Sequence, residues 1–259
     1  MNYFKTFYRR IFCDFYKIEF IRVFVVIVRF ILFFYILKKQ KTLYDENKDI
    51  KNLIVYLDDK NSTQTTIEKN VFYTKKFFNL KKKYNQFSGR KTLSLLNPIS
   101  SLDFENKLES KILAIGPRSE SELFAIRSQG YLWKNIYGID LHTYSNLIKL
   151  CDMHKMNFKD NTFDTIISGW TLPYSTNKKL AMDEMKRVAK NNAIVAVGFT
   201  YLTKELRTKS KDQDFDLYTT DQIKDYFKIK DSNIFFNFDA FKINEKFSRA
   251  SRIIFRLEK

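Results

Sequence analysis

Cysteine, histidine, proline and glycine are all scarce in this chain: 259 residues carry two, two, three and six of them. The two cysteines, Cys13 and Cys151, make no disulfide framework and have no metal-like spacing. A reduced, cytosol-facing location is expected for the catalytic portion. With so little proline and glycine, no linker rich in either residue separates domains, and no internal repeat divides the chain. The only histidines, His142 and His154, are both expected on loops.

Apolar and basic residues are abundant instead. A composition 44% hydrophobic and 17% aromatic belongs to a folded protein rather than a disordered one. The net charge is +17, and roughly seven of those charges precede Thr42. The lysines are dispersed and no recognition motif accompanies them, so the charge does not point to nucleic acid. The length suits one large α/β domain plus an extension.

The basic surplus flanks the most hydrophobic stretch, IEFIRVFVVIVRFILFFYIL, from Ile18 to Leu37. It is about long enough to cross a bilayer as a helix. Its polar members, Glu19, Arg22 and Arg29, project within one narrow sector at about 100° per residue. Arg9, Arg10 and Lys17 precede the run, and Lys38, Lys39 and Lys41 follow it, so charge does not orient a span. A monotopic helix embedded from one side fits equally well, and so does a helix packed against the domain. No small-residue cleavage site follows in KKQKTLYDEN, against a cleaved signal peptide. Further on, 53–57 and 71–78 read as short elements and Lys81 to Lys83 as a solvated basic face. Apolar spacing from Leu93 to Leu108 predicts a helix leading into the first strand.

The organisation then becomes regular. Apolar, β-branched runs at Ile112 to Ile115, Thr165 to Ile167 and Ala193 to Val197 read as buried strands separated by helical patterns. Such alternation implies a parallel sheet covered on both faces, with ligands at the carboxyl ends of its strands. In KILAIGPRSESELF the first strand stops at Gly116, and a helix starts near Ser119. NIYGIDL gives a strand ending at Asp140 and Leu141, where a carboxylate can accept hydrogen bonds from ribose hydroxyls. Leu150 to Trp170 then supplies a polar turn at Asp152 and Met153 and a further strand. A helix at Lys178 to Lys190 precedes the strand Ala193 to Val197.

The segment Cys151 to Ile166, CDMHKMNFKDNTFDTI, resembles a GD(M/A)xxLPFxDxxFDxV-like stretch of the class I S-adenosylmethionine-dependent methyltransferases, small-molecule type. The resemblance covers Lys111 to Thr200 and continues weakly to the end. It implies a Rossmann-like α/β fold with a seven-stranded, mostly parallel sheet closed by an antiparallel carboxyl-terminal pair, and S-adenosyl-L-methionine as cofactor. Gly116 would lie against the cofactor's methionine portion, Asp140 with Leu141 would hold the ribose, and Asp152 with Met153 would contact the adenine. Ser168, Gly169 and Trp170 would form the floor. Where the family usually has DxGxGxG, this chain reads AIGPRSE: Ala114 replaces the acidic residue, and Arg118 and Glu120 stand where glycine is usual. Arg118 is then a partner for the cofactor carboxylate, and Glu120 or Glu122 for its amino group. His154 and Tyr174 are the candidates for contact with the acceptor, His142 a weaker one.

Three parts follow: residues 1–41, a hydrophobic basic helix; 42–109, an extension with a lead-in helix; and 110–259, the methyltransferase-like domain. The expected activity is direct methyl displacement onto a small-molecule or lipid-linked acceptor or a glycan precursor, with a membrane as possible partner through residues 18–37. The alternative is a non-catalytic scaffold of the same fold.

Overall fold

The computed structural model describes residues 14–25, 27–28, 90–102, 106–117, 119–141, 145–200, 217, 219–240 and 250–259. The elements expected at 53–57 and 71–78, the basic cluster at 81–83, most of the apolar run after residue 28, Arg118 and His142 lie outside them.

Seven strands form one sheet in the order β3-β2-β1-β4-β5-β7-β6. They are β1 (Ile112–Ile115), β2 (Ile136–Asp140), β3 (Ile148–Leu150), β4 (Phe163–Gly169), β5 (Ala189–Thr200), β6 (Ile234–Phe238) and β7 (Ala250–Leu257). The first five are mutually parallel, and β7 pairs antiparallel with both β5 and β6. This is the sheet expected from the sequence, closing pair included. The shortest strand, β3, escapes periodicity because three residues hold too few alternations to count.

Both faces are covered, which is why β1 is apolar at every position rather than alternating. Leu113, Ile115 and Ile166 face helices α3 (Lys178–Val188) and α4 (Thr220–Phe227), which contribute Ala181, Met185, Val188, Ile223 and Phe227. Ile112, Ala114 and Ile167 face α1 (Arg90–Leu102) and α2 (Glu120–Ser128), through Leu95, Leu96, Ile99, Leu123 and Ile126. The lead-in helix α1 is thus part of the core. Helix α3 stops at Val188, short of Lys190, because β5 begins at Ala189. A capping box, with Thr219 and Gln222 each satisfying the other's backbone N–H, starts α4.

Residues 14–17 and 19–25 are helical. Tyr16 stacks on Phe124 of α2 with ring centroids 5.1 Å apart and meets Trp133 edge-on at 6.2 Å. No helix among the described residues is long and apolar enough to cross a membrane.

Candidate active site

Strand order reverses between β1 and β4, since the chain runs outward from β1 to β2 and β3 and then returns to β4 on its other side. In open parallel sheets ligands bind at the carboxyl ends beside such a reversal. Gly116 follows β1, Asp140 ends β2, Cys151 and Asp152 follow β3, and Trp170 and Thr171 follow β4, so the fold gathers these positions at one rim.

The most connected group there is Asp152, His154 and Ser175, all buried. Asp152 Oδ1 accepts the His154 backbone N–H at 2.8 Å and lies 2.5 Å from His154 Nδ1. His154 Nε2 lies 2.6 Å from Ser175 Oγ, which accepts the Asn177 N–H at 3.1 Å. The turn after β3 is thereby tied to the loop after β4. The other carboxylate oxygen, Asp152 Oδ2, is buried with no hydrogen-bond partner. A buried carboxylate oxygen without a donor is costly, so this atom is suited to a donor brought by a ligand. Ser168 Oγ, at the end of β4, is likewise buried and unsatisfied.

Asp140 is half-buried at the tip of β2, followed by the half-buried Leu141, and its carbonyl accepts the Cys151 N–H at 3.0 Å. Two adjacent turns are fixed side by side. Met153 packs against the core from the same turn. Cys151 is buried, and desolvation pushes its thiol up from the usual value. Below the rim, Arg187 reaches from α3 to the connection between β3 and β4, donating to the carbonyls of Met156 and Phe158 and to Asp160. Asp164 lies at the other end of the sheet, accepting from Lys111 N and Lys190 Nζ. Within CDMHKMNFKDNTFDTI, then, only the first four residues border the rim, and the later acidic residues hold the connection in place.

Gly116 has φ +68°, a region other residues seldom occupy. A Cβ on it would sit 2.2 Å from Thr171 Oγ1, whose hydroxyl donates to the Ile115 carbonyl at 3.0 Å. The loop after β4 therefore closes over the end of β1. Glu120, expected at the cofactor, is instead fully buried and hydrogen-bonded to Ser145, so it braces the β2–β3 connection against α2. Glu122 accepts from Thr92 of α1. Arg118 and His142 fall outside the described residues.

Trp170 has φ +62°. Its indole N–H donates to Thr200 Oγ1 at 2.8 Å, and its ring packs on Gly198, where a Cβ would meet Cζ3 at 2.9 Å. Lys91 Nζ and Arg252 Cζ lie 5.3 and 5.5 Å from the ring centroid, within cation–π range. Gly169 beside it is half-buried, and a Cβ there would make ordinary van der Waals contact with Thr92 and Leu95. Tyr174 is 58% exposed on the same loop. Thr171, Ser175, Ser145, Lys91 and Arg252 were not legible as site residues, since each earns its place through a partner at least 20 positions away or in a different loop.

Residues 113–197 match the family model described as a methyltransferase domain. Residues 113–197 are thus similar to that family, and they lie in the seven-stranded sheet that the resemblance to class I S-adenosylmethionine-dependent methyltransferases implies. Among solved structures, it is similar to the CurJ carbon methyltransferase at 10% identity and TM-score 0.50, over 82% of this chain and 71% of that one. A putative methyltransferase complexed with the Haloferax volcanii Trm112 activator matches at 9% identity and TM-score 0.48, covering 66% of this chain and 91% of that chain. A methyltransferase from Aquifex aeolicus matches at 17% identity and TM-score 0.42, with 64% and 93% covered. A search of curated proteins finds no match.

S-adenosyl-L-methionine is the cofactor of this methyltransferase family. The residues on the nucleoside side of the rim fit it: Asp152 Oδ2 is a buried acceptor in want of a donor, and an adenine amino group is one. On the other side Gly116 is roofed by Thr171.

Proposed function

We propose that this domain catalyses methyl transfer to a small molecule, lipid or glycan precursor by direct displacement. The observation that carries the reading is the buried, unpartnered Asp152 Oδ2 at the carboxyl rim of a methyltransferase sheet. Bound S-adenosyl-L-methionine supplies a methyl group activated on a sulfonium.

The chain's part is alignment and exclusion of water, which together remove much of the barrier to a displacement. Asp152 accepts from the adenine amino group through Oδ2, and Met153 flanks the ring. Asp140 accepts from the ribose hydroxyls, with Leu141 beside it. Gly116 and Thr171 bound the methionine portion, and Ser168, Gly169 and Trp170 form the floor; Arg118, the sequence's candidate for the carboxylate, lies outside the described residues. The two hydrogen bonds of the buried His154 support an orienting role, holding Asp152 in position, over a role as general base. Tyr174, exposed on the loop after β4, is the candidate for contact with the acceptor. Lys91 and Arg252 beside Trp170 place positive charge at the rim and favour an acceptor that carries negative charge.

Calorimetric titration with S-adenosylhomocysteine tests this reading. Saturable binding is expected, weakened about 10- to 100-fold by Asp152→Ala and less by Asp140→Ala. Well-folded protein that binds neither S-adenosylhomocysteine nor S-adenosylmethionine would sink it. The second reading, a scaffold of the same fold, is favoured by Glu120, which stands at a family glycine position yet is turned inward onto Ser145.

A further inference from the structure

We propose that the amino-terminal helical segment seats the protein on an anionic lipid surface, with Phe20, Phe24 and Val28 in contact with the bilayer. The segment is amphipathic in reverse. Its polar residue Arg22 is 5% exposed and donates from Nη1 to the Tyr16 carbonyl at 2.9 Å. The apolar residues Phe20, Phe24 and Val28 are 74%, 57% and 41% exposed.

The spacing explains why these three act together. Residues four apart share one face of a helix, and at about 100° per residue Arg22 falls on the side opposite Phe20 and Phe24. The Phe20 and Phe24 rings stack with centroids 6.4 Å apart, making one continuous apolar ridge. Glu19 is half-buried with a buried Oε1, so it adds no negative charge to that ridge. Just before it, Phe15 and Ile18 are 50% and 51% exposed. A ridge of this kind is the signature of a contact surface rather than a solvated face.

Charge decides the occupant. The first 41 residues contain only two acidic side chains, Asp14 and Glu19, and Asp14 is paired with Lys17 at 2.7 Å. Arg9, Arg10, Lys38, Lys39 and Lys41 flank the apolar run in sequence. Basic side chains bordering aromatic and aliphatic ones match an interface of anionic headgroups over acyl chains. The geometry also sets the mode of attachment. Tyr16 is committed to Phe124 and Trp133, so this part of the chain has one side on the domain and one side free, as a helix lying in the interface requires.

The inference stands apart from the methyl-transfer reading, and its test needs no cofactor. Full-length protein is floated with vesicles of phosphatidylcholine with and without phosphatidylglycerol. Capture is expected on the anionic vesicles, falling with added salt and falling about tenfold or more in F20S/F24S. Both substituted side chains are exposed, and an unchanged circular dichroism spectrum and melting midpoint show that the variant folds. In F24W, emission is expected to shift to the blue on anionic vesicles and to be quenched by brominated acyl chains. Equal capture of wild type and F20S/F24S, or an F24W emission indifferent to vesicles, overturns the proposal. So does a lipid-independent dimer that F20S/F24S disperses, which would assign the ridge to a second copy of this chain.

Discussion

His154 is held at both ring nitrogens, 2.5 Å from Asp152 Oδ1 and 2.6 Å from Ser175 Oγ. The imidazole therefore links the turn after β3 to the loop after β4 through one hydrogen bond at each ring nitrogen. Ser175→Ala removes the hydrogen-bond partner of the buried His154 Nε2. A loss of about 1–3 kcal/mol is expected in urea unfolding, with the denaturant slope unchanged. A loss under about 0.5 kcal/mol, in the range of ordinary surface substitutions, would contradict this account of the hydrogen-bond chain.

The same clamp bears on recognition. The 6-deamino analogue of S-adenosylhomocysteine, with purine in place of adenine, carries C–H where the parent carries the amino group, so it brings no donor to Asp152 Oδ2. Wild-type protein is expected to prefer the adenosine compound by about 10- to 100-fold, the worth of one hydrogen bond to a charged group. His154→Ala frees the carboxylate to turn, and the preference is expected to shrink more than the affinity for either compound alone. Calorimetry on the four combinations measures it. A preference untouched by His154→Ala would assign the histidine to stability only.

How far the sequence reached depended on the range of each signal. The apolar runs of β1, β4 and β5 were legible because strands buried on both faces show no alternation; the bounds of β1 were met, and β4 and β5 extend a few residues further at each end. The place of Asp140 at the end of β2 was legible because a strand, an acidic end and a turn are contiguous. Ser175 was not, since TLPYST says nothing of an imidazole 21 positions earlier. Glu120 misled for the same reason: its distance from Gly116 is local, but its partner Ser145 is 25 positions on. The ridge of Phe20 and Phe24 shows a third case. Periodicity grouped Glu19 and Arg22 correctly, yet which side of the helix meets the domain was decided by Tyr16 and its partners on another element.

Gly116 is constrained twice, by φ +68° and by Thr171 Oγ1 lying 2.2 Å from where a Cβ would stand. The left-handed conformation alone costs about 1–2 kcal/mol for a residue with a side chain. Gly116→Ala is therefore expected to destabilise by about 3 kcal/mol or more once the contact is added. Thr171→Ala deletes the two nearest atoms, Oγ1 and Cγ2. The double variant should lose less than the sum of the single ones, with a coupling of about 1 kcal/mol or more in a thermodynamic cycle. Additive losses would mean that φ, and not Thr171, is why this position is glycine.

Cys151 offers a test that reads through pH. Burial is the largest influence on its thiol and raises its pKa above the usual value, with the nearby charges of Asp152 and Glu184 acting in the same direction. A thiol that holds its proton more tightly in the folded chain than in the unfolded one favours folding where only the unfolded form ionises. Below the unfolded pKa, about 8.5, its contribution is fully present, and it is lost as pH rises from there through the folded value. Tyr226, raised by burial and by its hydrogen bond to Asp183, adds a loss of the same sign at higher pH. Between about pH 8.5 and 10, unfolding free energy is expected to fall more steeply for wild type than for Cys151→Ala. Urea unfolding at closely spaced pH values compares the two slopes, and parallel slopes would place the Cys151 thiol in contact with water.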